Sequence, residues 1–304
     1  MRMRVFGSSR VLGLGQAVVF VLAALIAALL PASASAAPSL ASADEATVRP
    51  GVLTDTGVGR CTSNFVFTDG TDVFLGQAAH CAGTGPPTEF NGCTAGSLPL
   101  GSPVEVEGAS QPGTLAYSSW LAMQAVGETD LNACMFNDFA LVKLDPADVA
   151  STNPSVPFFG GPTGIDTNGI EMGEAVYSYG NSPLRLGITE LSPKTGQSLG
   201  TTGGGWTHNV LTFTPGIPGD SGSAFLTDGG SALGVLSTVT IGLPTPVSNG
   251  VSDLNLALDY ANANGPAELG TLELVPGTEP FDEMASSAGA GGLLPSDVLG
   301  VLPF

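Results

Sequence analysis

Residues 217–225 read IPGDSGSAF, and the part played by Ser221 in them decides the fold as well as the chemistry. Gly, Asp and Ser make turns in any protein, so these letters alone leave Ser221 a turn residue. A serine hydroxyl becomes a nucleophile only where a general base takes its proton and a further group orients that base. Histidine is scarce: His80 and His208 are the two in the chain. His80 stands in QAAHC (77–81), at the end of an apolar run and beside a cysteine. His208 stands in GWTHNVLTF (205–213), inside a strand pattern, and reads as a structural histidine. Asp138 opens DFALVKL (138–144), where a polar turn meets an apolar strand. From there a carboxylate can be partly buried and still reach an imidazole.

Short apolar runs separated by Gly and Pro fill the chain between residues 52 and 264. PVEVEGA, FALVKLD, EAVYSYG, NVLTFT, SAFLT and ALGVLSTVT read as strands, and their spacing suits antiparallel barrels or sandwiches better than alternating helix and strand. SNFVF and DVFLGQAA, joined by TDGTD, predict a hairpin over 63–79. STNPSVPFFGGPTG (151–164) divides the strands into two halves of similar size and predicts a linker. VSDLNLALDYANANG (251–265) carries an imperfect apolar stripe ending in Asn and Gly, and predicts a late helix. Beyond it, residues 265–304 are rich in Gly, Ala and Pro and predict a flexible tail.

The start of the chain has three arginines (Arg2, Arg4, Arg10), then VVFVLAALIAALL (18–30), then the small-residue run ASASA. This is the pattern of a secretory signal, with cleavage expected after Ala36 and a short extension over 37–51. An uncleaved anchor is the rival, but the strongly apolar part is short for a membrane span. Export makes the four cysteines a disulfide set with three formal pairings. The hairpin brings Cys61 to Cys81, which leaves Cys93 for Cys134. No C-x-x-C is present and histidines are few, so a zinc site is not expected, nor is any organic cofactor. A net charge of −19 repels nucleic acid and anionic lipid and favours a soluble monomer.

AAHC, DFALVKL and PGDSGSAF, in that order, resemble the chymotrypsin-fold serine endopeptidases, and most of all their secreted bacterial streptogrisin-like branch, through GRCTSNFVFTDGTDVFLGQAAHCAG (59–83). The resemblance covers roughly residues 52–264 and implies an all-β fold: two antiparallel six-stranded β-barrels, over 52–150 and 151–264, with a C-terminal helix. It also implies a catalytic triad of His80, Asp138 and Ser221, with an oxyanion hole formed by the N–H groups of Gly219 and Ser221. By the same likeness Ser237, Thr238 and Val239 would pair with substrate, and an ion pair between Arg60 and Asp220 would set the oxyanion loop. Val239 would narrow the primary pocket, and Pro215 stands where basic-specific enzymes carry an aspartate, so cleavage after small or medium apolar residues is expected. The chain departs from the family in Ser223 and Gln77, in Cys93 and Cys134, and in its short pro-region. A secreted endopeptidase acting on protein or peptide substrates is the leading expectation. A noncatalytic binding module on the same scaffold, or an esterase with the same triad, stays open.

Overall fold

The computed structural model describes residues 39–241 and 247–285. The expected signal segment and the last residues of the tail lie outside them.

The first half contains β1 (Leu53–Asp55), β2 (Arg60–Thr62), β3 (Val66–Thr68), β4 (Val73–Gln77), β5 (Pro103–Val106), β6 (Gly113–Ser118) and β7 (Ala140–Lys143). With β14 (Glu273–Leu274) added outside β3, their sheet runs β14-β3-β4-β7-β6-β5-β1-β2, and the outermost of the first-half strands, β3 and β2, are consecutive in the chain. The segment Arg60–Thr68 is one bent strand. Its first part pairs with β1 and its second with β4, and between them Ser63 N–H donates to Val52 O (2.9 Å) and Asn64 N–H to Gly76 O (2.8 Å). Counting that strand once gives the expected six, and the bend closes the barrel. Its inward side chains, among them Leu75, Leu115 and Val142, are fully buried.

The second half contains β8 (Ala175–Tyr179), β9 (Pro193–Thr202), β10 (Thr207–Thr212), β11 (Ala224–Thr227), β12 (Ala232–Ile241) and β13 (Val247–Asp253), which form a closed six-stranded barrel. Ile170, Val176, Val210, Phe225, Leu233, Leu236 and Val251 fill it. Two short helices interrupt the first half, α1 (Ser119–Val126) and α2 (Leu131–Phe136). A further turn of helix, α3 (Pro146–Val149), follows β7. The expected late helix is α4 (Leu254–Asn264), whose N-terminus is capped by Asp253 accepting from Leu256 N–H (2.7 Å) and which ends at Gly265. No helix among the described residues is long and apolar enough to cross a membrane.

The expectation of a flexible tail from residue 265 is corrected over residues 266–285, which pack on the rest of the chain. Glu273–Leu274 form β14 on the free edge of β3. Thr278 and Glu279 donate their N–H groups to Ser155 Oγ in the linker (both 2.9 Å), and Glu279 pairs with Arg49 (3.3 Å). Phe281 stacks edge-on against Tyr177 of the second barrel, with centroids 5.3 Å apart. Composition suggested disorder because the few anchoring residues, Leu272, Leu274 and Phe281, are spread thinly among Gly and Pro.

Candidate active site

Both disulfides join the expected cysteines, Cys61 to Cys81 and Cys93 to Cys134. The first ties β2 to the single helical turn Ala79–Ala82 that follows β4 and carries His80. The second ties the loop after that turn to α2, and the chain leaving α2 runs into Asp138. Disulfides therefore brace the backbone on both sides of the His80–Asp138 pair.

Asp138 is almost fully buried and accepts three hydrogen bonds. His80 N–H donates to Oδ1 (2.8 Å), His80 Nδ1 to Oδ2 (2.6 Å) and Ser237 Oγ to Oδ2 (2.6 Å). Its own N–H donates to Ser252 Oγ (3.3 Å), which in turn donates to Phe136 O (2.7 Å). Serines from two strands of the second barrel thus hold Asp138, Ser237 by its carboxylate and Ser252 by its backbone N–H. Burial opposes charge on both partners, but their mutual attraction and hydrogen bonding prevail. The imidazole is raised above its ordinary value and the carboxyl is lowered below its own.

Ser221 sits in a loop that both barrels clamp. Thr62 N–H donates to Ser221 O (2.9 Å), and Thr62 Oγ1 to Gly219 O (2.7 Å). Asn64 Nδ2, also of the first barrel, donates to Gly222 O (3.0 Å), and in the second barrel Gly222 N–H donates to Leu236 O (2.7 Å). Gly219 and Gly222 take φ of 97° and 87°, values that favour glycine, and a Cβ on Gly222 would lie 2.5 Å from Thr62 O. Within the loop the N–H groups of Asp220, Gly222 and Ser223 donate to protein carbonyls. Those of Gly219 and Ser221 have no protein acceptor among the described residues, so two donors on either side of Asp220 stay available for an anion.

His80, Asp138, Gly219, Ser221, Ser237, Thr238 and Val239 all line one cavity of about 980 Å³, together with Phe90, Trp120, Met135 and Phe136. Ser221 and His80 line it from opposite barrels, and no hydrogen bond joins them. Beyond Val235 the outer edge of β12 is free of β11, which leaves the backbone around Thr238 and Val239 open to an added strand. Ser237 does more than line this edge, since its hydroxyl holds Asp138. His208 lies elsewhere, fully buried between Thr201 Oγ1 (2.8 Å) and Asp253 Oδ2 (2.9 Å).

The expected Arg60–Asp220 ion pair is not formed. Arg60 is exposed and pairs across the β1–β2 hairpin with Asp55 (2.7 Å). Asp220, fully buried, pairs instead with Arg185, from the loop between β8 and β9, and with Lys194 of β9 (3.2 Å). It also accepts from Ser182 N–H (3.0 Å) and Ile217 N–H (3.1 Å). The physical reason is strand alternation: Cys61 must face inward to reach Cys81, so Arg60 faces out. The two departures at Ser223 and Gln77 are both fully buried, and the polar atoms of both side chains lack protein partners among the described residues.

No family model matches the chain, and no curated protein matches it. Among solved structures the chain is similar to Thermobifida fusca Protease A, with 19% identity, 76% of this chain and 100% of that chain covered, and a TM-score of 0.48. It is similar also to a Nocardiopsis protease (18% identity, 75% and 98% covered, TM-score 0.46). A third is the Cellulomonas bogoriensis chymotrypsin (18% identity, 75% and 98% covered, TM-score 0.44).

Proposed function

We propose that the protein is a secreted serine endopeptidase that acts as a monomer on protein or peptide substrates after loss of residues 1–36. The observation that carries this reading is the shared cavity, lined by half-buried His80 held on buried Asp138 and by Ser221, beside two unclaimed N–H groups. Ser221 Oγ attacks the scissile carbonyl carbon while His80 Nε2 takes its proton, and the carbonyl oxygen becomes an oxyanion. The N–H groups of Gly219 and Ser221 stabilise that charge, which typically contributes about 100-fold to 1000-fold in turnover for each donor. His80 then gives its proton to the leaving amine as the C–N bond breaks, leaving an acyl-enzyme. Water, deprotonated by His80, releases the acid product and restores Ser221. Asp138 holds the imidazole in the tautomer with Nδ1–H and stabilises the imidazolium. The substrate lies along the free edge of β12, adding a strand opposite Thr238 and Val239. Leu236, Val239 and Val247 wall the primary pocket, so cleavage follows small or medium residues, with apolar side chains favoured over charged ones.

A fluorophosphonate probe tests the reading. Ser221 is expected to be labelled, the label is lost in Ser221→Ala, and casein is digested by the unaltered protein. Correctly folded protein that takes no label would be a binding module, and labelling with ester but no casein hydrolysis would make it an esterase.

A further inference from the structure

The Gly219 and Ser221 N–H groups, which have no protein acceptor among the described residues, belong to the peptide units Pro218–Gly219 and Asp220–Ser221. Both units are trans, so each carbonyl oxygen points away from its own N–H, and whatever holds the oxygen aims the donor. For the second unit the hold is local: Asp220 O accepts from Ser223 N–H (3.1 Å) within the same turn. For the first it comes from another element. Ser182 Oγ, in the connection between β8 and β9, donates to Pro218 O (2.6 Å). Pro218 and Gly219 line the cleft, whereas Ser182 is buried outside that lining. The oxygen is therefore drawn to the protein side of this peptide, which leaves the N–H on the cleft side.

Ser182 is itself fixed. Its N–H donates to Asp220 Oδ1 (3.0 Å), and its Oγ accepts from Leu184 N–H (3.1 Å) as the cap of the helical turn Pro183–Arg185. Pro183, the next residue, restricts the backbone of Ser182 to extended conformations. The hydroxyl oxygen is thus engaged from one side, and its proton goes to Pro218 O. Gly219 packs directly on this loop: a Cβ there would lie 2.8 Å from Pro183 Cδ and 3.2 Å from Ser182 Cα. Glycine also makes the adjoining peptide easy to turn. Without the hydroxyl, Pro218 O loses its donor. Rotating the peptide to bring that oxygen to water in the cleft restores one, and the same rotation carries Gly219 N–H away from the place where an oxyanion forms.

We propose that Ser182 is a positioning residue for the oxyanion hole: its hydroxyl holds the Pro218–Gly219 peptide in the orientation that presents Gly219 N–H to the developing charge. The inference rests on the endopeptidase reading and adds to it a residue outside the cleft. Ser182→Ala tests it, assayed on a tetrapeptide p-nitrophenyl ester. If the alanine variant does not fold, Ser182→Gly takes its place, since glycine is accepted at a helix cap. Because a donor is misdirected and not deleted, kcat is expected to fall about tenfold to 100-fold, with KM changed by less than about twofold. A peptide aldehyde, whose adduct with Ser221 carries a tetrahedral oxyanion, is expected to bind about tenfold or more weakly. Calorimetry of the matching peptide with Ser221→Ala protein, with and without Ser182→Ala, is expected to give affinities within about twofold of each other. Unchanged kcat or unchanged aldehyde affinity in a folded variant would overturn the proposal. So would an equal loss of peptide affinity, which is what a merely loosened cleft produces. Unaltered protein that hydrolyses the ester but not casein keeps the proposal and removes the endopeptidase. Unaltered protein that neither hydrolyses the ester nor takes the fluorophosphonate label removes both.

Discussion

Changing Arg185 to methionine tests what holds the oxyanion loop in place. Arg185 is 8% exposed and Asp220 is fully buried, so the substitution leaves a buried carboxylate short of a cation. Removing one partner of a buried pair costs about 3–5 kcal/mol. Part of that is offset here, because Lys194 stays at 3.2 Å and the N–H groups of Ser182 and Ile217 still donate. The low end is expected, about 3 kcal/mol, or a fall in Tm of roughly 10 °C for a domain of this size. Asp220 lies between Gly219 and Ser221, so kcat should fall along with stability. Arg60→Ala is the control: its pair with Asp55 is on the surface, with Arg60 56% exposed, and such pairs contribute at most about 1 kcal/mol. Urea unfolding gives the stability of both variants, and hydrolysis of a p-nitrophenyl ester gives the turnover. The assignment fails if Arg60→Ala is the more damaging of the two, or if Arg185→Met matches the unaltered protein in both assays.

Other consequences follow from the same contacts. Burial and the nearby Arg185 outweigh the pull of Asp220 and hold the Lys194 ammonium down to about 8. Between that value and the ordinary 10.5 the unfolded chain binds a proton that the fold has released, so stability should rise with pH across this window by up to about 3 kcal/mol; urea midpoints at several pH values would reveal the rise, and Lys194→Met should abolish it. The base must be neutral to act, and its pKa is raised by Asp138, so the acid limb of kcat/KM against pH should lie above the ordinary histidine value; steady-state rates from pH 5 to 9 test this. Ser237→Ala removes a charge-assisted bond to Asp138, and kcat should fall about tenfold with KM little changed. Replacing Cys93 and Cys134 together by serine opens a loop with a sequence separation of 41 residues, and chemical denaturation should register a loss of about 4 kcal/mol by the chain-entropy relation.

The parts legible in the sequence are those fixed by local pattern. The hairpin over 63–79 could be read from its two apolar runs and its TDGTD turn, and it brought Cys61, Cys81 and His80 together without knowledge of anything distant. Strands β5, β7, β8, β10, β11 and β12 announced themselves in the same way. By contrast, β9 (PKTGQSLGTT) is polar and broken by glycine, and β13 (VSNGVSD) has only two apolar side chains, so both are strands because their neighbours pair with them. Choice of partner was the other weak point. Asp220 has Arg185 and Lys194 within reach only because the thirteen-residue connection between β8 and β9, residues 180–192, folds back on the nucleophile loop, and no spacing encodes that return. The partner of Arg60, by contrast, is legible. Asp55 and Arg60 flank the short loop TGVG, and opposite charges at the mouth of a hairpin pair across it before either looks further. Asn249 shows the limit most plainly: nothing local marks it, yet it is buried on β13 and accepts a hydrogen bond from Gly216 N–H, 33 residues away in the chain. Such contacts are assembled from strand register, and register is settled only when the whole barrel closes.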